Sequence, residues 1–145
     1  MAFFFEEKNM YYIVNTAYGC IIYQKNESIK KSINTFSYIK KLCLEHLFTY
    51  HGYIEACRKV LKLKYKIPLY INDVLQLIPI KSVREYDNIW VNYAYIKSYE
   101  AHNDGIEVFF YDGTQIVLNV SIKTFTTQIK RLNVIREVKV KHFHC

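Results

Sequence analysis

At 145 residues the chain is one domain's worth of sequence, long enough to bury a single sizeable core. A composition of 51% hydrophobic, 17% aromatic and 23% charged residues excludes the disordered, fibrous and low-complexity classes. Twenty Lys and Arg against 13 Asp and Glu give a net charge of +7, which points to a polyanionic partner before it points to any chemistry.

In chain order, Tyr11 to Gln24 is rich in Tyr, Ile and Val with a break at Asn15-Thr16-Ala17, and predicts two short strands joined by a tight turn. Ser37 is a candidate N-cap for a helix from about Tyr38 to Leu47, with Ile39, Leu42, Cys43 and Leu47 on its apolar face and Lys40 and Lys41 outside it. A second helix is expected from about Gly52 to Tyr65. Ile54, Cys57, Leu61 and Tyr65 form its stripe, and Arg58, Lys59, Lys62 and Lys66 gather away from that stripe. No acid follows Glu55, so these cations are expected to lack i,i+4 partners, and Pro68 is expected to end the helix.

Leu69–Ile71 and Val74–Ile78 predict strands about a turn at Asn72-Asp73, with Pro79 as an edge or strand end. Ile89–Asn92, Tyr95–Ala101, Ile106–Tyr111 and Gln115–Val120 follow as strands. The Asn103-Asp104-Gly105 and Asp112-Gly113 turns connect the last three into an antiparallel meander. Ser121 caps a final helix through about Leu132, stripe Ile122, Phe125, Ile129 and Leu132, while the basic tail 133–145 reads equally as strand or helix continuation. The fold class expected is α+β: an antiparallel meander, two helices in the N-terminal half and a C-terminal amphipathic helix, in one domain over 1–145.

Charge is unevenly spread. Residues 25–66 hold ten Lys and Arg against three acids and residues 121–145 hold six against one, whereas residues 67–120 hold three against seven. Two basic blocks therefore flank an acidic middle, the pattern expected of a functional basic face.

No chemistry-bearing motif is present: no G-x-S-x-G, no H-E-x-x-H, no phosphate loop, and four isolated glycines. Cys20, Cys43, Cys57 and Cys145 have no zinc or disulfide spacing and read as reduced thiols. Cys57 near His51 lies on an apolar stripe, as packing thiols do. Glu100 and His102 read as surface decoration, and His142, His144 and Cys145 sit on a terminus that fixes ligand geometry poorly. The expectation is a non-enzyme with no cofactor and no metal. Ala2–Phe5 is too short for a signal sequence and no apolar run spans a bilayer, so a cytoplasmic protein with no membrane partner is expected.

A series of short motifs runs through the stretch from about Ser32 to Leu132: Ile39 and Cys43, Tyr50-His51-Gly52 with Ala56, Lys66-Ile67-Pro68-Leu69, Ile78-Pro79-Ile80-Lys81-Ser82, and Asn88-Ile89-Trp90-Val91-Asn92, then the Asp112-Gly113 hairpin and the Ser121 helix. In their order and spacing they resemble the ComK competence transcription factors. Tyr53 stands where the family pattern has Arg, with Arg58 or Lys59 as its replacement; Ile80 and Asn88 are further departures, and family members extend further at the C-terminus. The C-terminal half also looks like a LytTR-type DNA-binding domain, through Val91-Asn92, Ile96, Asp112-Gly113 and Val120-Ser121.

The ComK resemblance implies a bacterial, nucleoid-associated transcriptional activator that binds A/T-rich double-stranded DNA as a homo-dimer or tetramer, largely through the minor groove, with a proteolytic adaptor as a further partner. A narrow A/T minor groove concentrates negative potential and attracts Lys and Arg. The DNA-binding candidates are Arg58, Lys59, Lys62 and Lys66, then Lys123, Lys130 and Arg131, then Lys40 and Lys41. Fourteen tyrosines raise single-strand stacking as a lesser possibility. The alternative is a basic protein-interaction or inhibitor module without sequence-specific DNA binding.

Overall fold

The computed structural model describes residues 9–143. The chain runs β1 (Met10–Thr16), β2 (Gly19–Gln24), β3 (Glu27–Lys31), α1 (Thr35–Glu45), α2 (Tyr50–Leu61), β4 (Leu69–Asn72), β5 (Leu75–Pro79), β6 (Ile89–Asn92), a 3-10 turn (Tyr93–Tyr95), β7 (Ile96–His102), β8 (Gly105–Phe110), β9 (Gln115–Leu118) and α3 (Ile122–Phe143). The α+β class stands, with the meander divided into two antiparallel sheets. Six strands are ordered β3-β2-β1-β6-β5-β4, and β7-β8-β9 form a separate sheet.

Each half of the large sheet is itself a run of hairpins, and the two halves join where β1 pairs with β6, placing Ile13 opposite Trp90 and Val14 opposite Ile89. Strand β3 was not anticipated, because Glu27-Ser28-Ile29-Lys30-Lys31 is polar and sits at an exposed edge where no apolar alternation is required. Gly19 permits that edge: its φ is +151°, and a Cβ there would lie 1.9 Å from the Lys31 carbonyl oxygen. Pro79 ends β5 opposite Trp90, inside the sheet, so it is a strand end and not an edge.

Asn92 locks the centre. It is fully buried; its Nδ2 donates to the Met10 and Val74 carbonyls, and its Oδ1 accepts from the Gln76 and Ala94 amides. One amide thus ties β1, the β4–β5 turn, β5 and the 3-10 turn together.

The helices differ from expectation at their ends. Asn34, not Ser37, caps α1, its Oδ1 accepting from the Ser37 amide at 2.8 Å. Thr49 caps α2 through the Gly52 amide, and α2 stops at Leu61, well short of Tyr65 and Pro68. Lys62 there adopts φ +61°, and its N–H turns back onto the Cys57 carbonyl, so the chain leaves the helix by a left-handed cap. Lys62 and Lys66 are therefore not part of a helical row, and Tyr65 is exposed rather than buried in the stripe.

Helix α3 resolves the ambiguous tail. It continues unbroken through residue 143, and its 22 residues span about 33 Å. Its first half covers the small sheet, where Tyr99 packs edge-on to Phe125 at 5.0 Å and meets the Thr126 hydroxyl at 3.1 Å. Its second half reaches the β4 edge of the large sheet, where Lys139 Nζ donates to the Tyr70 carbonyl at 3.0 Å. Phe125, Ile129, Leu132 and Ile135 are buried, whereas Ile122, expected in the stripe, is 41% exposed at the helix entry. No helix among the described residues is long and apolar enough to cross a membrane.

Candidate nucleic-acid interface

The loop between α2 and β4, residues 62–68, alternates Lys62, Lys64 and Lys66 with Leu63, Tyr65 and Ile67, and nothing in that pattern predicts its course. Helix α3 supplies one. Gln128 Nε2 donates to the Lys66 carbonyl at 2.6 Å, and Arg131 Nη1 donates to the Tyr65 carbonyl at 2.8 Å and to Gln128 Oε1 at 3.2 Å. Gln128 is buried, so its amide is fixed between loop and helix. At the other side of the loop, Arg58 Nη2 approaches the Lys64 carbonyl at 3.4 Å. Lys66 itself has φ +49°, a left-handed residue held by its neighbours.

The result is a continuous groove. One part is lined by Arg58, Lys64, Tyr65 and Lys66 from α2 and the loop, together with Ser82 and Val83. The next part shares Tyr65 and Lys66 and continues along Lys123, Thr124, Thr127 and Arg131 on the first turns of α3. Arg58, Lys64, Lys66, Lys123 and Arg131 thus lie along one depression, with no carboxylate among the described residues of its lining. The N-terminus of α3, capped by the Ser121 hydroxyl accepting from the Thr124 amide at 3.1 Å, adds positive potential at the same end. A groove lined by five cations, with one exposed aromatic ring at its middle, has the chemistry to track a phosphodiester backbone.

The other expected residues divide. Lys59 pairs with Glu55 at 2.8 Å across one helical turn, which corrects the expectation that the α2 cations are unneutralised: Glu55 itself stands four residues before Lys59, the favourable order for such a pair. Lys59 and Lys62 lie outside the groove lining, as does Lys130, which is exposed elsewhere on α3. Lys41 is exposed on α1, while Lys40 Nζ stands 4.7 Å from the centre of the Phe36 ring. On that same ring lies Arg84, 5.2 Å away.

Two cations of the C-terminal block serve the fold. Arg136 pairs with Asp73 at 3.4 Å. Lys139 is half-buried against the rings of Phe48, Tyr53 and Tyr70, at 5.1, 5.5 and 5.8 Å, and burial lowers its pKa. Tyr53, which stands where a cation was expected, is also structural: its hydroxyl donates to the Pro68 carbonyl at 2.7 Å and accepts from the Tyr70 amide at 3.0 Å, fastening α2 to β4.

Cys20, Cys43 and Cys57 are buried free thiols, and burial raises all three pKa values, as inert packing requires. Glu100 and His102 are exposed on β7. Among the described residues no three His, Cys, Asp or Glu side chains converge as metal ligands; the reading of His144 and Cys145, and of the His142 side chain, lies outside the described residues.

Sequence reasoning missed Lys64, Gln128 and Arg84. Gln128 carries no charge and falls on a helix face like any polar residue. Arg84 lies in the acidic middle of the chain, where summing charge by segment conceals it.

A family model described as ComK protein matches residues 7–142, nearly the whole chain. No curated protein and no solved structure matches the chain.

Proposed function

The chain belongs to the ComK family, which places it among competence-type transcription regulators, and from that premise we propose that it acts by binding A/T-rich double-stranded DNA through the groove lined by Arg58, Lys64, Lys66, Lys123 and Arg131. The observation that carries this reading is the joining of two basic blocks, 25–66 and 121–145, into one carboxylate-free depression through the Gln128 and Arg131 bonds to the 62–68 loop. Fixed cations at a narrow minor groove favour A·T tracts by potential and width, with little further base readout. The protein acts as an activator in dimeric or tetrameric form, and one domain covers the chain.

The test is binding to A/T-rich duplex, G/C-rich duplex and single strands across a salt series. Five phosphate contacts give a slope of log K against log salt of about −4.5 on duplex DNA. Preferential binding to the A/T duplex with a slope of that order supports the reading. Equal weak binding to all three with a flat salt dependence overturns it and favours a protein partner for the basic face.

A further inference from the structure

The groove does not end at Val83. That residue also borders a second, open hollow of about 550 Å³, lined by the β1–β2 turn, the N-terminus of α1 and the Val83–Tyr86 segment. These three pieces are distant in sequence and are brought together by the β1–β6 pairing; Asn15 Nδ2 donates to the Tyr86 carbonyl at 2.8 Å across the hollow's edge.

Three features of this hollow bear on an anion. Helix α1, 11 residues long, points its N-terminus into it, with no acidic side chain in the first turn. Asn15 Oδ1 takes the Thr35 amide and Asn34 Oδ1 takes the Ser37 amide, and neither takes that of Phe36 between them. Independently, Thr35 lines the hollow at 1% exposure and its hydroxyl has no hydrogen-bond partner among the described residues. A buried hydroxyl left unpaired is costly and is uncommon without a role. Arg84 lines the same hollow, and its guanidinium shares the Phe36 ring with Lys40. At the rim stand Tyr18, 92% exposed, and Tyr86, 64% exposed, two rings that bury little of themselves in this fold. Glu85 is the one acid among the described residues of the lining, and its charge opposes an anion.

We propose that this hollow is a phosphate seat, in which the Phe36 amide in the first turn of α1, the Thr35 hydroxyl and the Arg84 guanidinium receive one phosphate group, with Tyr18 and Tyr86 flanking the attached sugar or base. Helix N-termini receive phosphates through backbone N–H groups and the aligned helix dipole. Val83 borders both hollows, so the seat adjoins the cationic groove, and the phosphate is one of a nucleic-acid backbone lying along both. That identity rests on the DNA reading. A phosphate seat as such does not, since a free phosphate or nucleotide presents the same group.

The test uses the full chain, uniformly labelled with nitrogen-15, titrated separately with inorganic phosphate and with an A/T-rich duplex while the Thr35, Phe36 and Lys123 amides are followed. Saturating shifts of Thr35 and Phe36 with both probes support the seat on the DNA path. Shifts there with inorganic phosphate alone support the seat for a free phosphate source and take it off the DNA path; the DNA reading fails only if Lys123 also stays unmoved by the duplex. Duplex-induced shifts at Lys123 with Thr35 and Phe36 unmoved by either probe overturn the seat and leave DNA binding standing. No response to either probe also overturns it. Thr35→Val, which keeps shape and loses the hydroxyl, and Arg84→Gln are each expected to weaken phosphate binding at least threefold with an unchanged amide spectrum elsewhere. Glu85→Gln is expected to tighten it. Unchanged affinity in all three variants overturns the proposal.

Discussion

Arg131 Nη1 donates to the main-chain carbonyl of Tyr65 at 2.8 Å, joining residues 66 positions apart in sequence. With the bond to Gln128 Oε1 it uses two of five guanidinium donors, so Arg131 orders the 62–68 loop and keeps N–H groups for the groove. Arg131→Lys keeps the charge and loses the planar fork. The variant is expected to bind A/T duplex several-fold more weakly, with a salt slope close to wild type, because the Tyr65 carbonyl loses its partner and the loop that carries Lys64 and Lys66 loosens. Arg131→Gln is expected to lower the slope as well, by about one. Equal affinity in both variants and wild type, measured by fluorescence anisotropy, would show that the loop's course does not matter to binding.

Among the cations of α2 and its following loop, position relative to the groove matters more than proximity in sequence. Lys66→Glu with Lys123→Glu places two carboxylates in the lining and is expected to abolish duplex binding at 150 mM salt, on the order of a hundredfold or more. Lys59→Glu with Lys62→Glu changes net charge identically but alters residues outside that lining. Its expected loss is an order of magnitude smaller. Equal losses from the two pairs would mean that net charge, and not the groove, governs binding.

Stability rests on a different residue. Asn92→Ala strands the Met10 and Val74 carbonyls and the Gln76 and Ala94 amides in a buried centre. The expected cost is roughly 3–5 kcal/mol, read as a fall in the urea midpoint, since each unsatisfied buried group costs about 1–3 kcal/mol and relaxation recovers part of the sum. A cost under 1 kcal/mol would contradict the role assigned to this amide.

The alkaline limit follows from burial. Desolvation pushes the Cys43 thiol from 9.0 up to about 12 and the Cys20 thiol up to about 11, and it pushes the Tyr50 phenol from 10.0 up to about 12. In the unfolded chain these groups release protons first, so their contribution is fully present below pH 9 and is lost as pH rises through the folded-state values. Lys139, lowered by burial, acts with the opposite sign, one group against several. Urea midpoints are therefore expected to be level from pH 7 to about 9 and to fall from there towards pH 11. Cys43→Ala is expected to lower stability at pH 7 and to make the alkaline decline shallower. A decline of unchanged steepness would remove Cys43 from the account.

Local sequence determined the elements whose signals are self-contained. The Asp112-Gly113 hairpin, strand Ile89–Asn92 and the Ser121 cap depend on residues within a few positions of one another, and each stands where periodicity and turn chemistry put it. The run Ile54, Cys57 and Leu61 likewise marks the inner face of α2, but periodicity says nothing of a left-handed cap, so the helix end at Lys62 was not legible. The two basic blocks were legible as charge. Their meeting was not.

What only the tertiary structure decided is which cations share a surface. Lys59 and Lys66, seven positions apart, have different surroundings because one pairs along its helix with Glu55 and the other sits in a loop held from across the fold by Gln128. Arg84, in an acidic stretch, joins the cationic path because β1 pairs with β6 and carries the Val83–Tyr86 segment to the start of α1. The physical reason is one of range. Helix stripes, caps and turns are set by contacts over three or four residues, whereas electrostatic potential depends on distances in space, and those are set by the long-range pairings that close the two sheets around a common core.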